Sequence, residues 1–219
     1  MPITRDTPDT LFRAMRLAIG QLPDKQQESA SILVDLLRAV LDYRGEFFCD
    51  LQLFDSSVAT FLASARTADK VGLYTTWMRI ACRDAALNMY HFGIALEELR
   101  QRYGEVTSWR NKDIAKVLRA VNNEFQKTFP ASKYVRHAVG HAVELFSTAE
   151  KRKVNAVKGY GMYFYNVVGN TFSMTINGKV ETLELSKATY CKLHEYMVRI
   201  FDAFEPIASA AVDSQSRPN

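Results

Sequence analysis

Apolar residues recur every three or four positions over most of this chain, the spacing of an amphipathic helix. These stripes predict helices over about 11–22, 24–42 or beyond, 58–65, 68–104, 112–129, 133–147 and 187–204. The longest of them contains no proline and is followed by Gly104, a residue type that often ends a helix. We therefore expect a mainly α protein.

Residues that favour helix ends support these limits. Asn111, Ser132 and Ser186 each stand where a side-chain oxygen can cap the first turn of a predicted helix. Prolines cannot continue a helix, so Pro130 is expected to end the fifth helix and Pro206 the last one.

The hydrophobic period changes near the C-terminus. Over residues 171–185, apolar and polar positions alternate on both sides of Asn177-Gly178, the pair preferred in a two-residue type I′ turn. This pattern predicts a β-hairpin packed on the helices. We expect one helical domain over 1–206 that carries the hairpin and the final helix, and a disordered tail over 207–219.

Composition narrows the class of protein. Of the 219 residues, 47% are apolar and 24% are charged, which indicates a packed core, and the net charge of +4 permits contact with nucleic acid. Cys49, Cys82 and Cys191 form no metal-binding pattern, so we expect buried free thiols in a reducing compartment. The first ten residues do not resemble a signal peptide, and no run of 18 apolar residues occurs. We expect a cytoplasmic protein without membrane association.

The segment YVRHAVGHAVELF, residues 134–146, concentrates groups that can carry chemistry. His137 and His141 are four residues apart and share a helix face, as zinc-binding histidines do, and Glu144 follows three residues later. The HExxH order is absent, so a metal site would need further ligands. An ordinary surface helix with polar residues on its exposed side explains the segment equally well. A third interpretation is a catalytic pair of Arg136 and His141.

A second polar pattern lies on the long predicted helix 68–104. Asp84, Asn88 and His91 stand at i, i+4 and i+7, so they share one face of an otherwise apolar helix. A solvated side, a buried hydrogen-bonding network and a functional role are all open for this stripe.

The sequence RHAVGH, residues 136–141, resembles the Arg-x(4–6)-His signature of HEPN domains, in which Arg is usually followed by Asn, Asp or His. The segment WMRIACRDAALNMYHFGIALEEL is also similar to the long helix of uncharacterised bacterial HEPN-like proteins. The resemblance covers about residues 70–150 and does not account for the hairpin. It implies a HEPN-like helical bundle with the signature on a late helix, and a homodimer in which two signatures line one cleft.

The resemblance also implies a reaction: metal-independent cleavage of RNA without a cofactor, of the toxin or phage-defence type. His141 would exchange a proton with the RNA, and Arg136 would bind the scissile phosphate. His137 would orient the phosphate or carry a second proton. The two signature residues lie about 140° apart around a regular helix, so the Arg136 side chain would have to bend back toward His141.

A basic segment follows the motif. Lys151, Arg152, Lys153 and Lys158 are candidates for substrate binding. The aromatic residues behind them either stack on bases or pack the hairpin on the core: Tyr160, Tyr163, Phe164 and Tyr165.

Two other classes of function remain open. A non-catalytic helical module would bind a nucleotide or a cognate partner protein, and its Arg/His pair would be structural. A bundle that binds a metal or a small ligand would use Asp84, His91, His137 and His141.

Overall fold

The computed structural model describes residues 8–64, 68–162 and 166–215. The α-helices in these ranges are α1 Pro8–Gly20, α2 Asp24–Ser64, α3 Ala68–Arg102, α4 Lys112–Thr128, α5 Ser132–Gly140, α6 Ala142–Phe146, α7 Ala149–Asn155 and α8 Lys187–Gln215. The strands are β1 Asn166–Val168, β2 Thr171–Ile176 and β3 Lys179–Glu184. The predicted mainly α fold with a C-terminal β-hairpin and a final helix is confirmed.

Two predicted helix limits are wrong. Residues 24–64 form one helix instead of two, since buried Phe47, Leu51 and Phe54 continue the apolar stripe through the interval. The final helix continues through Pro206 to Gln215, so residues 207–215 of the expected disordered tail are helical. Residues 216–219 lie outside the described ranges.

The final helix has contacts that explain why it continues. Ala208 and Ala211 are buried beyond the proline, so packing offsets the hydrogen bond that Pro206 cannot donate. The side chain of Gln21 adds two hydrogen bonds, to the carbonyl of Ala211 at 3.2 Å and to the hydroxyl of Ser214 at 2.6 Å.

The chain divides into two compact units. Unit 1 comprises Met1–Asp42, Phe92–Thr128 and Leu193–Asn219, and unit 2 comprises Tyr43–His91 and Phe129–Lys192. Helices α2, α3 and α8 each contribute residues to both.

Unit 1 is built around aromatic and aliphatic side chains from α1, α2, α3, α4 and α8. Phe92 and Phe125 lie with their ring centroids 5.7 Å apart, and Tyr103 meets Phe204 edge to face at 5.8 Å. The predicted cap of α4 is confirmed, because the Asn111 side chain accepts the backbone N–H of Asp113 at 2.8 Å.

Unit 2 joins the middle of the chain to the sheet. Helix α5 packs against β2 and β3, with Val135 and Ala138 buried on it and Phe172 and Met174 buried on β2. The sheet order is β1-β2-β3, and both pairs are antiparallel. The predicted type I′ turn is confirmed, since Asn177 and Gly178 both have positive φ, 50° and 71°.

The sheet has one strand more than the prediction. β1 pairs with β2 through the turn at Gly169-Asn170, where Gly169 has a φ of 59°. Ser186 caps α8 as predicted, since its hydroxyl accepts the backbone N–H of Thr189 at 3.1 Å. Ser132 does not cap α5; it is the first residue of that helix and is buried.

The cysteines are free thiols, but only Cys82 is buried, whereas Cys49 and Cys191 are exposed. The expectation of three buried thiols is therefore wrong. In the three described ranges, no helix combines the length and the apolar character needed to cross a membrane.

Candidate acid–base site

The motif segment forms two helices instead of the one predicted over 133–147. Helix α5 ends at Gly140, α6 begins at Ala142, and His141 between them has non-helical dihedral angles (φ −120°, ψ 25°). Gly140 lowers the helix propensity at this point. The backbone N–H of His141 still donates to the carbonyl of His137 at 3.0 Å, so the break redirects the chain that follows His141.

The two histidines lie together. The ring centroids of His137 and His141 are 4.8 Å apart and the rings are inclined by 35°. His137 is exposed and His141 is partly exposed. This pair of imidazoles is therefore open to a ligand from solvent.

Glu144 completes the group. The Nδ1 atom of His141 and the Oε1 atom of Glu144 are 3.0 Å apart, and the two side chains are 39% and 67% exposed. The hydrogen bond from His141 lowers the pKa of the Glu144 carboxyl, and the charges of His141, Lys151 and His137 lower it further. Lys151 and His137 therefore lie within electrostatic range of this carboxylate. We call His137, His141, Glu144 and Lys151 the histidine cluster.

The arrangement favours one tautomer of His141. When the Nδ1–H group donates to a carboxylate, the lone pair is on Nε2, which can then accept a proton from a substrate. A carboxylate that holds an imidazole in this way is the usual partner of a general base. Lys151 adds a positive charge that suits a phosphate group.

Arg136 lies elsewhere. Its guanidinium carbon is 5.1 Å from the ring centroid of Tyr90 on α3, a cation–π contact, and its Nε atom is buried without a hydrogen-bond partner. In the part of the chain that the structure describes, no hydrogen bond or ring contact joins Arg136 to His141. In the described ranges the two signature residues therefore have different partners, Tyr90 for Arg136 and Glu144 for His141.

The predicted polar stripe divides into two environments. Asn88 is buried and donates a hydrogen bond from its Nδ2 atom to Oδ2 of Asp50 at 2.9 Å. Asp84 is exposed and hydrogen-bonds to the same carboxyl. His91 stacks on Tyr43 with the ring centroids 5.3 Å apart. The stripe is a hydrogen-bonded network at Asp50 and an aromatic contact at His91.

Burial makes Asp50 an unusual acid. Burial raises the pKa of the Asp50 carboxyl to about 7. The hydrogen bond from Asn88 lowers this pKa. The negative charges of Asp84 and Glu46 raise it further, and so does the hydrogen bond with Asp84. The buried thiol of Cys82 has a pKa raised to about 12, by burial first and then by the charge of Asp50.

The metal-binding alternative required ligands from two parts of the chain. These are Asp84 and His91 of the polar stripe on α3, and His137 and His141 of the motif segment. Among the residues that the structure describes, no three or more His, Cys, Asp or Glu side chains form a group that could hold a metal ion. All four of those residues are described, and they do not come together as one ligand set.

The basic segment begins on α7 directly after the histidine cluster. Lys151, Arg152 and Lys153 lie on α7, Lys158 lies in the turn that follows, and all four are exposed. The Nε atom of Arg152 donates to the carbonyl of Phe146 at 2.9 Å, so this arginine also helps to hold the end of α6.

Asn155 fixes α7 against its neighbours. This buried side chain donates from Nδ2 to the carbonyls of Leu145 and Lys151 at 3.1 and 3.0 Å, and its Oδ1 atom accepts the backbone N–H of Asn177 at 3.0 Å. The end of α6, helix α7 and the hairpin turn are thereby joined through one amide.

Of the aromatic residues behind the basic segment, Tyr160 lies within the described ranges. Tyr160 is 75% exposed, so it does not pack the hairpin on the core. Tyr163, Phe164 and Tyr165 lie outside the described residues.

Sequence reasoning missed two partners of the candidate site residues. Glu144 was considered only as a metal ligand, although its i, i+3 spacing from His141 also predicts a hydrogen bond. Asp50 was not considered, although its place within the apolar stripe of Phe47, Leu51 and Phe54 indicates a buried carboxyl.

Comparisons with known proteins give no family for this chain. No family model matches it, and neither the curated proteins nor the solved structures contain a significant match.

Proposed function

We propose that this protein cleaves RNA by metal-independent acid–base catalysis at the histidine cluster. The observation that carries the proposal is the contact of two solvent-accessible imidazoles, one of which is bound at Nδ1 by a carboxylate. The resemblance of the RHAVGH segment to the HEPN signature supports the same class of reaction, of the toxin or phage-defence type. A cytoplasmic location and a homodimer belong to the proposal.

In the proposed reaction, Nε2 of His141 removes the proton of a ribose 2′-hydroxyl. The 2′-oxygen then bonds to the adjacent phosphorus, and the bond from phosphorus to the 5′-oxygen breaks. His137 in its protonated form gives a proton to that leaving oxygen. The products are a 2′,3′-cyclic phosphate and a 5′-hydroxyl, and the need for a 2′-hydroxyl restricts the reaction to RNA.

The positive groups have separate parts in this proposal. Lys151 lies near Glu144 and stabilises the charge on the phosphate, while Lys153 and Lys158 bind flanking phosphates. Arg136 contacts Tyr90 and therefore acts through the packing of α5, unless substrate binding brings its guanidinium to the phosphate.

The test is cleavage of a mixed RNA by the purified full chain in the presence of EDTA. We expect cyclic-phosphate ends with the wild type and none with His141→Ala or His137→Ala. Glu144→Gln, which keeps the shape of the side chain but not its charge, should slow cleavage about 10- to 100-fold. Lys151→Ala should weaken it, whereas Lys116→Ala, on an exposed lysine of unit 1, should not.

Intact RNA with the wild type would refute the proposal. Equal cleavage by wild type and His141→Ala would also refute it, since a contaminating nuclease would then explain the activity.

A second candidate, a non-catalytic module that binds a partner protein, is favoured by one observation. Large apolar side chains are exposed around the cluster, with Val143 70% and Val154 61% exposed. In this candidate the Arg136–Tyr90 contact is purely structural. Wild type that forms a stable complex with a cognate protein and leaves RNA intact would favour it.

A further inference from the structure

Tyr134 is a half-exposed aromatic residue on α5, the helix that carries His137 of the histidine cluster. It lies three residues before His137 and seven before His141, so the three side chains project from one side of the segment that α5 begins. The Tyr134 side chain is 49% exposed. An open aromatic ring therefore stands one turn from the proposed acid.

The contacts of the other tyrosines make Tyr134 distinctive. In the described ranges six tyrosines contact another ring: Tyr43, Tyr74, Tyr90, Tyr103, Tyr190 and Tyr196. No ring contact or side-chain hydrogen bond involves Tyr134 in those ranges, and the same holds for Tyr160 in the turn after α7. Packing among the described residues therefore does not explain the exposed Tyr134 ring.

We infer that Tyr134 stacks on an unpaired base of the RNA next to the phosphate held by the histidine cluster. The inference rests on the proposed function, because it takes the cluster as the position of the phosphate. A tyrosine face suits any base, and such stacking requires a base that is free of a duplex stack. The substrate at this position is therefore single-stranded, and Tyr134 selects for strand state rather than for sequence.

The test separates binding from cleavage. A fluorescent single-stranded DNA of about 12 nucleotides lacks the 2′-hydroxyl and cannot react, so its affinity for the full chain reports binding alone. Tyr134→Ala should weaken this affinity about 10- to 100-fold, and Tyr134→Phe should retain it within about twofold. Trp77→Ala, at a 40% exposed aromatic residue of α3, is the matched control and should bind like the wild type.

A blunt duplex of the same sequence provides the second arm. Its bases remain stacked, so Tyr134→Ala should leave duplex affinity unchanged, whereas Lys151→Ala should weaken both probes. Equal single-strand affinity of wild type and Tyr134→Ala would overturn the inference, as would an equal loss of duplex binding.

The two proposals fail in different ways. If the wild type cleaves RNA and Tyr134→Ala cleaves and binds as well as it does, only the role of Tyr134 is wrong. If the wild type binds single strands through Tyr134 but leaves RNA intact, the proposed reaction is wrong and the stacking role stands. A wild type that binds neither probe overturns both.

Discussion

Asn88 on α3 donates a hydrogen bond to the buried carboxyl of Asp50 on α2, with 2.9 Å between Nδ2 and Oδ2. The carboxyl of Asp84 hydrogen-bonds to the same group. Two carboxyl groups can share a hydrogen bond only while one of them carries a proton. The hydrogen bond between the two carboxyls therefore requires a proton on one of them, whereas the hydrogen bond from Asn88 to Asp50 does not.

The first prediction concerns pH. Because the folded-state pKa of Asp50 is raised from 3.8 to about 7, the folded chain holds this proton more tightly than the unfolded chain. The stabilisation is complete below about pH 4 and is lost as the pH rises through about 7, and the loss is at most about 4 kcal/mol. Asp50→Asn keeps an acceptor for Asn88 and a donor for Asp84, and cannot ionise.

Urea denaturation at about pH 5 and about pH 8 checks this prediction. We expect Asp50→Asn to be more stable than the wild type at the higher pH, with a smaller difference at the lower pH. Asp55→Asn is the control, since Asp55 lies on the same helix and is exposed. A wild type whose stability relative to Asp50→Asn does not change between the two pH values would contradict the assigned role.

The second prediction concerns Gly93 in unit 1. A Cβ atom at Gly93 would lie 2.4 Å from Cε1 of Phe125, a buried ring, so alanine cannot be accommodated without a shift of that ring. Gly93→Ala should lower the free energy of unfolding by about 1–3 kcal/mol despite the better helix propensity of alanine. Gly72 is on the same helix and a Cβ there meets nothing within 4 Å, so Gly72→Ala should stabilise by about 0.5–1 kcal/mol. Thermal melts that rank the two variants in the opposite order would refute the argument.

The third prediction concerns the turn between α3 and α4. The buried hydroxyl of Tyr103 donates to the carbonyl of Trp109 and accepts the backbone N–H of Asn111 at 2.9 Å. Tyr103→Phe leaves both backbone groups without this partner and should cost about 1–3 kcal/mol. Tyr196→Phe loses a hydrogen bond to Thr128, which is exposed and can bind water instead, so its cost should be smaller. Urea midpoints that are equal for the two variants would count against this explanation.

Most of the fold was predictable because local signals agreed with packing. Asn177-Gly178 predicted the hairpin turn, and the stripes of apolar residues predicted the helices. Strand β1 also has a local signal, because two valines precede the turn residues Gly169-Asn170. Its three residues are too few to show the alternation of apolar and polar positions that indicates a strand. The length of α8 was not predictable from Pro206 alone, because the burial of Ala208 and Ala211 offsets the local penalty.

The site was predictable only in its sequence-local parts. The contact between His137 and His141 follows from their i, i+4 spacing. The contact of Arg136 with Tyr90 and the hydrogen bond of Asn88 to Asp50 join residues that are 46 and 38 positions apart, so only the tertiary fold determines them. The helix breaks at His141, between Gly140 and the start of α6. The spacing of apolar residues does not predict this break.

The last prediction concerns Asn155, which links α7 to the hairpin. Asn155→Ala removes the donors to Leu145 and Lys151 and the acceptor of the Asn177 N–H, so the backbone amide of Asn177 loses its protection. We expect amide hydrogen exchange at Asn177 to accelerate and the free energy of unfolding to fall by about 1–3 kcal/mol. Asn170→Ala is the matched control, because in the described ranges its side-chain amide bonds the exposed Glu184 and its loss should leave Asn177 protected. Asn155 also holds α7, which carries most of the basic segment proposed to bind RNA. Asn155→Ala should therefore weaken RNA binding, measured at a temperature where the variant is still folded. Unchanged exchange at Asn177 would mean that the hairpin turn does not depend on this amide, and the role given to Asn155 would be wrong.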